Sequence, residues 1–158
     1  MPMMLLRDFF AAFDDAMSAY EDNNTSASGP PLTAAWRFAH AETVVPFATM
    51  LGLYAEQEEM TAATRDDGRY FRSSLRVTFA ANVVATLYAC TSNASDTTQK
   101  YNYKVRFLYN EQEVTIPACA DQGQSAFCDL ETVRAAFAAP LDEWEYGEVC
   151  DGTCTCEW

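Results

Sequence analysis

Residues 34–53 constrain the fold most, because a strand pattern there passes straight into a helix pattern. Across 34–40, Trp36 and Phe38 alternate with Ala35 and Arg37, which predicts an extended segment. Thr43, Val44, Val45, Phe47, Met50, Leu51 and Leu53 then recur at the spacing of a helix with one buried face, ending near residues 52–54. Pro46 is expected in the first turn, where its missing amide is harmless. His40, Ala41 and Glu42 fall at the junction.

The remaining elements fit around this unit. Leu5, Phe9, Phe13, Ala16, Met17 and Tyr20 predict an amphipathic first helix, with Arg7, Asp8, Asp14 and Asp15 on its wet side. Residues 21–33 read as a polar, breaker-rich loop. Residues 83–89 are apolar on both faces, as expected of an internal strand covered on both sides. Tyr103, Val105, Phe107 and Tyr109 alternate with Lys104, Arg106 and Leu108, and a turn at 110–113 leads to Val114 and Ile116, so a hairpin follows. Asp129 is placed to cap a last helix through Leu130, Val133, Phe137 and Ala138, with Pro140 as its stop. Residues 140–158 form an acidic tail with three cysteines. The expected class is α/β: part of a mixed sheet flanked by helices, with a C-terminal β-hairpin and loops tied by disulfides.

Composition narrows the function. With 49% hydrophobic and 13% aromatic residues the chain can build a core, and it has no stretch of about 18 apolar residues to span a bilayer. A net charge of −13 repels nucleic acid, which is excluded as a partner. Cys90, Cys119, Cys128, Cys150, Cys154 and Cys156 form an even set without the spacing of a metal site, so disulfides and an oxidising compartment are expected, with the pairing open. Sequons start at Asn23, Asn24 and Asn93 and fit glycosylation in the secretory pathway. Residues 1–6 make a poor signal peptide, because the apolar run is short and Asp8, Asp14 and Asp15 follow.

The junction is the one constellation suggesting chemistry. It sets an imidazole and a carboxyl group where a strand ends and a helix begins, an edge where free helix amides favour anions. Taken alone, the tripeptide is explained as well by the preference of helix starts for Glu. Its surroundings add more. The segment Trp36-Arg37-Phe38-Ala39-His40-Ala41-Glu42-Thr43-Val44-Val45-Pro46-Phe47 closely resembles the second catalytic motif of histidine acid phosphatases. The His-Ala-Glu form, followed by Thr and later Pro, resembles the multiple inositol polyphosphate phosphatase branch. Phe71-Arg72-Ser73, Phe79-Ala80-Ala81-Asn82, Leu87-Tyr88, the hairpin over 105–116, and Cys119 to Cys128 ahead of Asp129-Leu130 follow in that family's order.

The resemblance implies a role for each residue. Glu42 would protonate the leaving alcohol oxygen, His40 would contact the phosphoryl oxygens, and Ala41 would lie in the substrate site. A positioned acid helps because an alkoxide leaves badly, and the imidazole offsets phosphoryl charge. The resemblance also implies a Cys119–Cys128 disulfide, a secreted, lumenal or membrane-associated protein, no metal or organic cofactor, and substrates such as phytate, other inositol polyphosphates or bisphosphoglycerate. The family's nucleophile, the histidine of an Arg-His-Gly motif, has no counterpart here: the motif is absent and His40 is the sole histidine. Residues 1–158 are therefore expected to be the C-terminal part of one phosphatase domain, inactive alone, with the missing N-terminal portion as its partner. A non-catalytic secreted binding or interaction domain derived from the same fold is the alternative.

Weaker candidates remain. Arg65, Arg69, Arg72 and Arg76 could hold substrate phosphates, or pair with Glu56, Glu58, Glu59, Asp66 and Asp67. Asp14 and Asp15 are expected to face water. Tyr88, Tyr103, Phe107 and Tyr109 are expected to pack in the core and across strands.

Overall fold

The computed structural model describes residues 2–21, 33–55, 61, 63, 66–91, 101–122 and 126–143. The elements are helix α1 (Pro2–Glu21), helix α2 (Ala41–Met50), a single helical turn α3 (Ser73–Arg76), strands β1 (Val83–Thr91), β2 (Tyr101–Tyr109) and β3 (Gln112–Val114), a 3-10 turn (Pro117–Gln122), the short strand β4 (Cys128–Asp129) and helix α4 (Leu130–Glu143). The α/β class expected from the sequence is met.

Strand β2 is the axis of the sheet. Along one edge it pairs antiparallel with all of β1, from Val83 opposite Tyr109 to Thr91 opposite Tyr101. Along the other it pairs antiparallel with β3 and then β4, where Val105 faces Cys128. The hairpin turn is tighter than the sequence suggested. Asn110 and Glu111 both have positive φ, 48° and 65°, the pattern of a two-residue turn whose twist matches its strands. Alternation along β2 sends Val105, Phe107 and Tyr109 into the core. It leaves Lys104 and Arg106 on the other face, paired with Asp129 at 3.1 Å and Glu113 at 3.0 Å.

Helices cover that inner face. Leu6, Phe10 and Phe13 of α1, Ala48 of α2, and Leu130, Val133 and Phe137 of α4 join Leu51, Leu53, Ile116 and the Cys119–Cys128 disulfide in one buried cluster. The disulfide implied by the family resemblance is therefore present. Cys90 is a free, half-buried thiol whose register partner is Asn102, so no second thiol faces it across the strand. Cys150, Cys154 and Cys156 lie outside the described residues, as do the sequons at Asn23, Asn24 and Asn93.

The chain between α2 and the sheet turns on Gly52. Its φ is 75°, Leu53 N–H donates to the Ala48 carbonyl at 3.0 Å and Gly52 N–H to that of Thr49 at 2.9 Å. This paired closure satisfies carbonyls that the helix end would leave open. A Cβ at Gly52 would stand 2.9 Å from Pro117 Cγ, so glycine is required by contact as well as by conformation.

Several expectations are corrected. Residues 33–40 form no strand, because no partner strand lies beside them among the described residues; Trp36 and Phe38 stay 74% and 93% exposed. The buried face of α1 is wider than expected: Phe9, Phe13 and Met17 of the expected stripe pack on the core, and Leu6 and Phe10 beside it are buried more deeply than Leu5. Strand β1 is less enclosed than expected: Val83, Ala85 and Leu87 pack on the core, while on the other face Val84 is 39% exposed and Thr86, Tyr88 and Cys90 are half-buried. Pro46 is the sixth residue of α2, not in its first turn, so the hydrogen bond to the Glu42 carbonyl is lost there. Pro140 lies inside α4, which continues because Leu141 packs on the core and its carbonyl accepts from Arg7 Nη2 at 2.7 Å. Asp14 does not simply face water; it pairs with Arg134 of α4. The Asp129 carboxylate is drawn to Lys104 across the sheet.

Candidate active site

Helix α2 is fixed from its C-terminal half. Ala48 is buried and Val44, Phe47 and Met50 pack against the core, so the helix start is held steady while facing outward. His40 occupies the cap position in extended backbone, with φ −95° and ψ 174°. Its carbonyl accepts from Thr43 N–H at 3.0 Å and Val44 N–H at 3.2 Å, which closes the first turn. Its imidazole makes no capping bond. The amides of Ala41 and Glu42 belong to the first turn, where helix N–H groups have no partner inside the helix.

His40, Ala41 and Glu42 are all exposed. Among the described residues, neither the imidazole nor the Glu42 carboxylate has a hydrogen-bonding or ion-pair partner. The junction thus offers an uncommitted acid, an uncommitted imidazole and a helix start that favours anions. Among the described residues no three His, Cys, Asp or Glu side chains gather where they could hold a metal ion.

The segment leading in is tied to α1 by Arg37, whose Nε lies 3.6 Å from Asp8. Beside it opens a hollow of about 460 Å3 lined by Asp8, Asp15, Trp36 and Arg37 among others, with His40 and Glu42 outside its wall.

The arginine cluster is divided. Arg65 and residues 56–60 are outside the described residues. Arg69 donates to the carbonyls of Phe71 and Asp66, and Arg72 to that of Asp67, so main-chain oxygens take guanidinium groups that the sequence assigned to substrate or to carboxylates. Arg76 is held differently, with its guanidinium carbon 4.0 Å over the Tyr54 ring and 5.1 Å from that of Tyr70. Tyr109 and Asn110 both donate to the Arg76 carbonyl, at 2.8 and 3.1 Å. Burial pushes the Tyr54 and Tyr109 hydroxyls up from their ordinary pKa, and the nearby guanidinium partly opposes this at both. Sequence reasoning missed Tyr54, Asn110 and Gln112 beside Arg76, because no local pattern links positions so far apart in the chain. The aromatic residues behave as expected: Phe107 and Tyr109 are buried, and Tyr88 meets Phe127 edge to face.

Fold and junction together define an α/β chain with an acid and an imidazole at an anion-accepting helix start. The chain belongs to the histidine phosphatase superfamily, branch 2, whose family model matches residues 4–110. It is 29% identical over 122 residues to Multiple inositol polyphosphate phosphatase 1 of Dictyostelium discoideum, covering 75% of this chain and 18% of that protein. The same-named human protein is 29% identical over 93% of this chain and 28% of its own length, and the Gallus gallus protein 29% over 94% and 31%. The chain therefore spans less than a third of the curated relatives it matches. No solved structure matches it.

Proposed function

We propose that this chain carries the proton-donor part of a phosphomonoesterase site of the multiple inositol polyphosphate phosphatase type, acting on phytate and related inositol polyphosphates. The observation that carries the reading is the His40-Ala41-Glu42 junction, solvent-facing and uncommitted at an anchored helix start, in a member of this superfamily. Glu42 protonates the departing alcohol oxygen, and His40 with the free amides of α2 takes up charge on the phosphoryl oxygens. The nucleophile comes from a preceding portion of the enzyme bearing Arg-His-Gly. Exposed Trp36 and Phe38, on a segment that joins no sheet among the described residues, support docking of that portion beside residues 33–40. The buried Cys119–Cys128 disulfide agrees with folding in the secretory pathway.

The test joins this chain to a nucleophile-bearing N-terminal portion and measures phosphate release. The chain alone should show no turnover. In the joined enzyme Glu42→Gln should lower kcat by roughly 10²–10⁴ on phytate, whose alkoxide leaves poorly, and far less on an aryl phosphate whose leaving group needs no proton. Full activity of Glu42→Gln on phytate would disprove the donor assignment.

A further inference from the structure

A second hollow, of about 260 Å3, lies beyond the far end of α2 from His40 and is lined by Tyr54, Arg76, Thr78, Asn110 and Gln112 among others. The ten residues of α2 alone separate the two places by about 15 Å. We infer that this hollow is a binding site for a single small oxyanion, of the inorganic phosphate or phosphate monoester class, separate from the His40–Glu42 junction.

Charge distinguishes it. On a chain of net charge −13, its wall holds one cation and no carboxylate among the described residues. Among the described residues, the larger hollow beside α1 has two aspartates in its wall and one cation, already paired with one of them. Arg76 is always charged, and its stacking on Tyr54 fixes the plane of the guanidinium fork before any ligand arrives. Among the described residues that guanidinium donates from Nη2 to the Tyr70 carbonyl at 3.2 Å and hydrogen-bonds the Tyr54 hydroxyl, and it makes no ion pair. A guanidinium carries five N–H donors, so donor capacity is left over.

Neutral donors complete the lining. Among the described residues the Thr78 hydroxyl and the Gln112 amide have no hydrogen-bonding partner, while the Tyr54 hydroxyl is engaged by the Arg76 side chain and Asn110 is locked by bonds to Arg76 and Asn82. A volume of about 260 Å3 falls below the roughly 300–1,000 Å3 of sites for larger organic ligands, so one oxyanion group fits better than a whole polyphosphorylated ring.

The experiment is an amide NMR titration of the full chain with inorganic phosphate at constant ionic strength, with chloride as control. Saturable shifts should centre on Thr78, Asn110 and Gln112, with half-saturation on the order of 1 mM for one guanidinium helped by neutral donors. Arg76→Gln should weaken binding at least tenfold. Gln112→Glu, an exposed position on β3, should do the same by adding a negative charge while leaving the Tyr54–Arg76 stack in place. Glu42→Gln should leave the titration unchanged, which keeps this result independent of the junction's role. Shifts that never saturate, that survive both Arg76→Gln and Gln112→Glu, or that centre on residues 40–43 would overturn the inference.

Discussion

The Cys119–Cys128 bond is short in sequence and central in space, so its removal makes a demanding test of the fold. It closes a loop with a sequence separation of nine and joins the 3-10 turn to β4, the strand that leads into α4. Chain entropy for a loop of this length corresponds to about 2.6 kcal/mol at 25 °C. Both cysteines are buried, 4% and 3% exposed, so Cys119→Ala/Cys128→Ala also removes core contacts and adds to that figure. For a urea dependence of about 1–3 kcal/mol per molar, the midpoint should fall by roughly 1–2.5 M. Gln122 spans the same joint, accepting from Asp129 N–H at 2.9 Å and donating to Thr132 Oγ1 at 2.7 Å. If the double variant, and the wild type reduced with dithiothreitol, unfold at the wild-type midpoint, these bonds suffice and the reasoning from loop entropy fails.

Two further outcomes follow from the packing. Leu6→Ala should cost about 2–5 kcal/mol in urea unfolding and Leu5→Ala clearly less, since Leu6 is fully buried and Leu5 is not; the reverse order would mean that α1 is rotated from the position described. Tyr103 has its pKa pushed up from 10.0 to about 12, first by burial and then by its 2.9 Å hydrogen bond to Glu21, whose carboxylate opposes a phenolate. The folded chain then holds this proton more tightly than the unfolded one, so the associated stability is intact below pH 10 and is lost as pH rises through 12. Tyr103→Phe should lessen that alkaline loss, followed by urea midpoints with phenolate absorbance as the monitor, and identical slopes for the two proteins would refute the assignment.

The candidate site was legible because it is local. His40, Ala41 and Glu42 are neighbours in sequence, and the change from a two-residue to a helical repeat located them at a helix start without tertiary information. The Arg76 hollow was not legible, since Tyr54, Arg76 and Asn110 meet only after α2, α3 and the hairpin turn have packed together. The arginines were legible only as candidates: Arg69 and Arg72 donate to main-chain carbonyls of the same loop, which spacing in sequence does not reveal, and Arg65, Glu56, Glu58 and Glu59 lie outside the described residues.

By itself the sequence determined the element types wherever an apolar repeat was long: α1, α2, the strands β1 and β2 and α4 all follow from side-chain periodicity, which is a property of the chain. Tertiary structure decided whatever needs a second surface. It chose how wide a face of α1 is buried, let α4 continue through Pro140 because Leu141 has a core to meet, and left Val84 of β1 exposed. Residues 33–40 show the division most clearly, because alternation can make a segment extended, but a strand exists only when another chain segment supplies the opposing hydrogen bonds.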